Sequence, residues 1–266
     1  MGYPDFHTHT TFSDGKNTPV EVIEHAIKLG MPSIGISDHS YTRIAVGWCI
    51  ESDSRTDEYI AEINRLKAIY KDRIEVLCGI EEDYFACDDL SRFDYSIGSV
   101  HHVIKDGCYL DVDKSVANTN EIIDSHYRGD AYAYAEDYYS LVGDVLRKTG
   151  ADIIGHFDLI TKFNERSYRF DEVNGRYKKA VTDAIDALLP YCRPFEVNTG
   201  AISRGYRTSP YPSLRLLEYI NSKGGCVLLS SDSHRADTLN FSFDDALVLV
   251  RAAGFSSERI VTSPKG

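Results

Sequence analysis

The chain has 266 residues, 42% of them hydrophobic and 26% charged, an ordinary globular composition that excludes intrinsic disorder and collagen-like repeats. Lys and Arg number 29 against 41 Asp and Glu, and the net charge of -12 repels a polyanion over most of the surface, so nucleic acid is not an expected partner. The longest apolar runs, Cys226 to Leu229 and Ala246 to Val250, are far shorter than the ~20 residues of a membrane span, and no basic-then-apolar leader opens the chain, so we expect a cytoplasmic protein with no membrane partner.

No repeat, low-complexity tract or linker marks a boundary, and residues 1–266 read as a single domain. Tyr3 to Phe6 is the first strand candidate, followed by a helix from Thr18 to Leu29 whose Thr18-Pro19 start fits an N-cap and a first-turn proline. Ser33 to Ser37 is the second strand. Asp57 to Tyr70 follows as a helix with apolar residues at Ile60, Ile63, Leu66 and Ile69. Glu75 to Ile80 and Tyr95 to Ser99 are strands three and four, and a polar excursion then leads to a Tyr-rich helix at Ala131 to Lys148. Strands at Asp152 to Ile154, Pro194 to Val197 and Cys226 to Leu229 alternate with helices at Val173 to Leu189, Leu214 to Ser222 and Phe243 to Ala253. Seven βα-like units without a break predict an α/β fold, an incomplete or distorted barrel around a parallel sheet. The six cysteines (Cys49, Cys78, Cys87, Cys108, Cys192, Cys226) form no Cys-x-x-Cys pair and read as reduced, mostly buried thiols rather than a structural zinc site.

The residues with chemical potential stand just beyond the strands. Strand one leads into His7-Thr8-His9 and Asp14, strand two into Asp38-His39, strand three into Glu81 and strand four into His101-His102. Strand five leads into His156, strand six into Glu196-Val197-Asn198 and strand seven into Asp232-Ser233-His234. In a parallel barrel the C-terminal strand ends converge on one mouth, so residues more than 200 positions apart become neighbours. Residues two apart in a strand face the same way, which lets His7 and His9 both point at one ion. Imidazoles mixed with the carboxylates of Asp14, Glu81 and Asp232 form the donor set that Zn, Fe or Mn takes.

These motifs, Phe6-His7-Thr8-His9 with Ser13-Asp14-Gly15, then Asp38-His39, Glu81, His101, His156 and Ser231-Asp232-Ser233-His234, resemble the polymerase and histidinol phosphatase superfamily. Within it, chain length and the Gly79-Ile80-Glu81 and Gly98-Ser99-Val100-His101-His102 blocks look most like the stand-alone histidinol-phosphate phosphatases of histidine biosynthesis. The resemblance implies a distorted (β/α)7 barrel with two or three divalent ions at the C-terminal strand ends. One ion would take His7, His9, Glu81 and Asp232; a second would share Glu81 and add His101 and His156; a third would take Asp14, His39 and His234. Asp14 stands where many members of the superfamily carry histidine. Asp38 is expected to orient a ligand rather than bind metal.

Three carboxylates and one hydroxide carry about -4, so three divalent ions rather than two leave the positive charge that attracts a phosphate dianion. The expected reaction is hydrolysis of a small phosphomonoester, histidinol phosphate, by a metal-bridging hydroxide, with Glu81, Asp232 and His234 as the catalytic set. Arg204, Arg207 and Arg166 are candidates to grip the phosphate, Arg204 as a cation at the mouth that belongs to neither the core nor the ligand set. Glu82, Asp83 and Asp158 are candidates to meet the amine or imidazole of the substrate. The alternatives are a phosphoesterase of the same superfamily acting on a nucleotide, sugar phosphate or phosphotyrosine protein, and an amidohydrolase-type enzyme, which usually has a carboxylated lysine where this chain has Glu81.

Overall fold

Six of the seven expected strands form one parallel sheet in a computed structural model that describes residues 2–44 and 47–265; of the span 1–266, residues 1, 45, 46 and 266 lie outside the described residues. The strands are β1 (Ser33–Ile36), β2 (Glu75–Asp83), β3 (Tyr95–Ser99), β6 (Ile153–Ile154), β7 (Phe195–Asn198) and β8 (Val227–Ser230), side by side in that order. Between β3 and β6 runs an antiparallel hairpin, β4 (His102–Lys105) and β5 (Cys108–Asp111), which the sequence reading passes over as a polar excursion. Its turn, Asp106-Gly107, has positive φ at both residues (51° and 79°), which suits Gly and is tolerated by Asp.

The first expected strand, Tyr3 to Phe6, forms no regular ladder. Residues 5–9 instead make isolated parallel bridges to both edges of the sheet, Asp5 to Ile34 and Thr8 to Ser233. Backbone bonds from Gly35 N–H to Asp5 O (2.8 Å) and from His9 N–H to Ser233 O (2.8 Å) make the two junctions. Asp5 O and His7 O, two residues apart and so on the same side of a regular strand, accept from opposite edges, Gly35 N–H and Ser233 N–H (3.1 Å), so the segment kinks as it closes the sheet into a distorted barrel. The Asp5 carboxylate, accepting from Ser231 N–H and Oγ–H, clamps the closure at the β8 side.

The helices are α1 (Pro19–Lys28), α2 (Asp53–Tyr70), α3 (Val116–Glu121), α4 (Ala131–Thr149), α5 (Gly175–Leu188), α6 (Gly200–Ser203), α7 (Leu214–Ser222) and α8 (Phe243–Ala252). Thr18 and Glu21 close a capping box at the start of α1. Helix α2 starts four residues earlier than its apolar spacing suggests, because Ser52 caps it by accepting from Arg55 N–H. Tyr134, Tyr138 and Tyr139 of α4 are at most 1% exposed, so the tyrosine-rich stretch is packing.

Inside the barrel, Tyr95 lies across β1 and β2 where Gly35 and Gly79 leave room; a Cβ at either glycine would collide with its ring. Its hydroxyl donates to Phe6 O at 2.5 Å, tying the kinked first segment to the barrel interior below the mouth. The cysteines depart from expectation: none of the six forms a disulfide, but Cys87, Cys108 and Cys192 are exposed, the first two lying in or beside the loops and hairpin that stand off the barrel. No helix among the described residues is long and apolar enough to cross a membrane.

Candidate metal centre

Period-two alternation along β2 puts Gly79, Glu81 and Asp83 on the barrel-interior side, and Glu81 reaches the mouth just above Tyr95. Five imidazoles surround its carboxylate. Oε2 lies 2.7 Å from His39 Nδ1, 3.2 Å from His7 Nε2 and 3.6 Å from His9 Nε2, and Oε1 lies 2.9 Å from His156 Nε2 and 3.3 Å from His101 Nε2. Asp232 Oδ1 adds contacts of 3.3 Å to His9 Nε2 and 3.5 Å to His234 Nδ1, and His234 Nε2 lies 3.3 Å from Asp14 Oδ1. All nine expected ligand residues therefore meet in one place.

Ligand atoms fall within reach of a common ion in three groups: His7, His9 and Asp232; His39, Glu81 and His101; and His9, Asp14, His39 and His234. The grouping differs in detail from the expected division. His9 and His39 each enter two groups, while His156 enters none and reaches the cluster through Nε2, 2.9 Å from Glu81 Oε1. Tetrahedral bonds of ~2.1 Å separate neighbouring ligand atoms by about 3.4 Å, which is the spacing seen here.

Hydrogen bonding offers a second test of fit. His7 Nε2, His9 Nε2, Asp14 Oδ1, His39 Nδ1 and Glu81 Oε2 are all buried with no hydrogen-bond partner. Each such orphan costs ~1–3 kcal/mol, and five gathered around Glu81 and Asp14 fit cations held among them. Burial works against charge on Glu81, yet the imidazoles of His7, His39 and His101 hold its carboxyl well below the usual range. Burial, reinforced by His234 and His39, pushes His9 well down, so it stays neutral as a ligand must.

Carboxylates behind the imidazoles aim them. Glu196 Oε1 is 2.5 Å from His7 Nδ1, and its Oε2 accepts from His156 N–H at 2.7 Å and from Asn198 Nδ2 at 2.9 Å. Asp83 Oδ2 is 3.0 Å from His101 Nδ1. Both leave the Nε2 atoms facing Glu81. The sequence reading noted Glu196 at a strand end without assigning it; a carboxylate inside a four-residue buried strand was the available signal. Asp38 accepts from Thr10 N–H and Oγ–H and from Ser13 N–H and Oγ–H, so it shapes the loop between His9 and Asp14 rather than a ligand ring.

A cavity of about 260 Å³ opens over the cluster, lined by ligand residues and by Trp48, Asp111, Asp113, Lys114, Lys162, Arg204 and Tyr206. Arg204 is more deeply engaged than a cation at the mouth. Its Nη2 pairs with Asp232 Oδ2 at 3.0 Å, and Nη1 donates to Asp232 O at 3.0 Å and lies 3.0 Å from His234 Nδ1. Arg207 and Arg166 do not line this cavity. The Arg207 side chain is buried and donates to Thr161 O, Thr161 Oγ1 and Ser209 O, while exposed Arg166 donates to Gly205 O. Both hold the loop that carries Arg204. Lys162, unassigned from sequence, occupies the wall instead. Glu82, Asp83 and Asp158 are also outside the lining, and burial beside Asp88 pushes the Glu82 carboxyl up to about 8.

Known proteins resemble the chain at both levels. A Schizosaccharomyces pombe protein described as "Probable histidinol-phosphatase" is 28% identical over 258 residues, covering 89% of this chain and 81% of its own. The histidinol-phosphatase of Bacillus subtilis is 26% identical over 263 residues, covering 90% and 96%. A crystal structure of histidinol phosphate phosphatase from Lactococcus lactis, in complex with zinc, L-histidinol and phosphate, shares the fold with a TM-score of 0.71 at 23% identity over 96% of this chain and 94% of that one. Residues 5–199 match the PHP domain. That stretch is well over half of the chain and carries the strand ends from His7 to His156, and on it the protein belongs to the PHP domain family.

Proposed function

We propose that this protein is a metal-dependent phosphatase that hydrolyses L-histidinol phosphate to L-histidinol and phosphate, with residues 1–266 working as one domain. The observation that carries the reading is the convergence of six imidazoles with the carboxylates of Asp14, Glu81 and Asp232 in one cluster beneath a cavity walled by Arg204 and Lys162. The names and bound molecules of the relatives support the substrate. Two to three ions of Zn, Fe or Mn fit the donor set, held by His7, His9, Asp14, His39, Glu81, His101, His156, Asp232 and His234. Bound there, they supply Lewis acidity to the phosphoryl oxygens and lower the pKa of water towards ~7.

The chain's own residues position the ester. Arg204 presents a guanidinium fixed by Asp232, and Lys162 an ammonium fixed by Asp113, so two oriented cations face the cavity before substrate enters. In the catalytic set, Glu81 holds His7, His39, His101 and His156 in one arrangement, Asp232 links the ligand cluster to Arg204, and His234 stands beside Arg204 and Asp14. Glu196 and Asp83 keep the His7 and His101 rings turned to the centre.

Phosphate release from histidinol phosphate, nucleotides, sugar phosphates and phosphotyrosine peptides, with metal assayed on the same preparation, tests this. Histidinol phosphate is expected to exceed a generic aryl phosphate by at least ~100-fold in kcat/KM, because a site that pairs a substrate's polar groups discriminates by several kcal/mol. A flat profile would move the assignment to a general phosphoesterase.

A further inference from the structure

The β4–β5 hairpin ends against the cavity, and its contribution there is not needed to hold metal. Register places Asp111 opposite His102, and Val112 N–H donates to His101 O, so the strand end is fixed beside the ligand His101. Two carboxylates of this segment, Asp111 and Asp113, line the cavity. Lys162 Nζ takes up Asp113 through Oδ2 at 2.7 Å and the carbonyl at 3.2 Å. The Asp111 carboxylate accepts the Asp113 N–H, at 3.1 Å, and among the described residues no Lys, Arg or His forms an ion pair with it. Lys162 is thus committed to Asp113, and among the described residues Asp111 keeps no ion pair although Lys114 also lines the cavity. Burial and the neighbouring Asp113 push the Asp111 carboxyl up to about 6, the strain expected of a carboxylate that lacks a cation.

Trp48 lines the same cavity. Its ring stands edge-on to His39 and His101, with centroids 4.7 and 5.2 Å apart, and runs nearly parallel to His102 at 5.9 Å and 17°. No Lys or Arg of the described residues lies over the indole, although ten such pairs occur elsewhere in the molecule. A half-buried indole that lines the same cavity as a carboxylate without an ion pair suits one class of partner, an organic cation that can donate to the carboxylate and lie against the ring.

We infer that Asp111 and Trp48 form a leaving-group subsite for a cationic alcohol, an ammonium or imidazolium, and so select phosphomonoesters that carry a positive charge opposite their phosphate. The inference rests on the phosphatase reading and narrows it. Arg204 and Lys162 take the anionic end of such a substrate and Asp111 the cationic end, which orients the ester across the ligand cluster. This replaces Glu82, Asp83 and Asp158, which the sequence suggested for that role but which stand outside the cavity lining.

The test uses the metal-loaded enzyme and two substrate pairs that differ in charge: histidinol phosphate against phenyl phosphate, and O-phosphoethanolamine against ethyl phosphate. Asp111→Asn should lower the preference for the cationic member of each pair by about tenfold or more, chiefly through KM, and Asp111→Glu should recover part of it. Metal content and Tm, measured on each variant, separate this from loss of the site. A charged-to-neutral preference in Asp111→Asn equal to that of the wild type would overturn the subsite. If the wild type ignores histidinol phosphate yet favours O-phosphoethanolamine through Asp111, the subsite stands and the substrate assignment falls. Trp48→Leu is the second arm, and it too should narrow the preference in both pairs; an unchanged ratio removes the indole from the subsite.

Discussion

At Glu81 a single carboxylate lies within 3.6 Å of five imidazoles, so its removal takes one oxygen from each of several ligand contacts at once. Glu81→Ala should therefore cost more metal and more activity than alanine at any one histidine; a variant with full metal content by elemental analysis would refute its central role. Arg204 makes a different prediction once its pairing with Asp232 is seen. Arg204→Ala frees a carboxylate that burial would otherwise raise and that Arg204, ahead of His7, holds well below the usual range. Metal affinity and kcat/KM should fall together, the latter by roughly 10- to 150-fold for a lost charge-assisted bond to phosphate. Retained metal with lost catalysis would mean that Arg204 acts on phosphate alone. For Glu196, which orients His7 and accepts from the His156 amide, Glu196→Gln keeps the shape but removes the charge. Metal affinity should weaken by about 10–100-fold, read by chelator competition, with far-UV circular dichroism unchanged.

Among the elements, the segment after β6 matters through its ties to the loop after β7. Arg207 binds Thr161, one residue from Lys162, and lies 4.8 Å over the Tyr211 ring, so it staples the Lys162 and Arg204 segments together from behind the cavity. Arg207→Ala should lower stability by ~1–3 kcal/mol, the usual consequence of leaving buried acceptors such as the Thr161 carbonyl unpaired, and reduce kcat/KM while metal content holds. Asp158, buried at the start of the same segment, gives a pH signature. Burial, opposed by Arg207, raises its carboxyl from 3.8 to about 6, so the folded state favours the protonated form. An acid raised on folding contributes stability below the unfolded pKa and loses it as pH rises towards the folded value. Asp158→Asn should therefore raise Tm at pH 7 and lose that advantage near pH 4, the full difference corresponding to roughly 3 kcal/mol. An equal Tm for the two proteins at pH 7 would show that Asp158 is ionised without cost.

For the whole molecule, candidate ligands come from the closing segment at His7 and His9, from the ends of β1, β2 and β3 at His39, Glu81 and His101, and from beyond β8 at Asp232 and His234, so ions held among them would tie both sides of the barrel closure. Because metal binds the folded arrangement preferentially, chelation should lower Tm, and re-addition of metal should restore it. Elemental analysis of protein never exposed to chelator should find two to three equivalents; under one would contradict the cluster.

How much was legible depends on the range of each signal. Hydrophobic periodicity and capping are local, and they placed β3 and α7 at the observed bounds and most other elements within a few residues. The order His7-Thr8-His9, His39, Glu81, His101, His156, Asp232-Ser233-His234 at successive strand ends is also readable without a structure, because parallel topology forces such ends together. The Asp106-Gly107 turn was a readable hairpin signal as well, and passing over it hid Asp111 and Asp113. What tertiary structure alone decided is which groups face which. Arg207 turned to Thr161 rather than the cavity, Arg204 paired with Asp232, and residues 5–9 closed the barrel through two bridges instead of a ladder. A side chain's residue type fixes what it can bond to, but its partner is chosen by segments up to 237 positions away, as for Asn240 and Tyr3, and no local pattern encodes that distance.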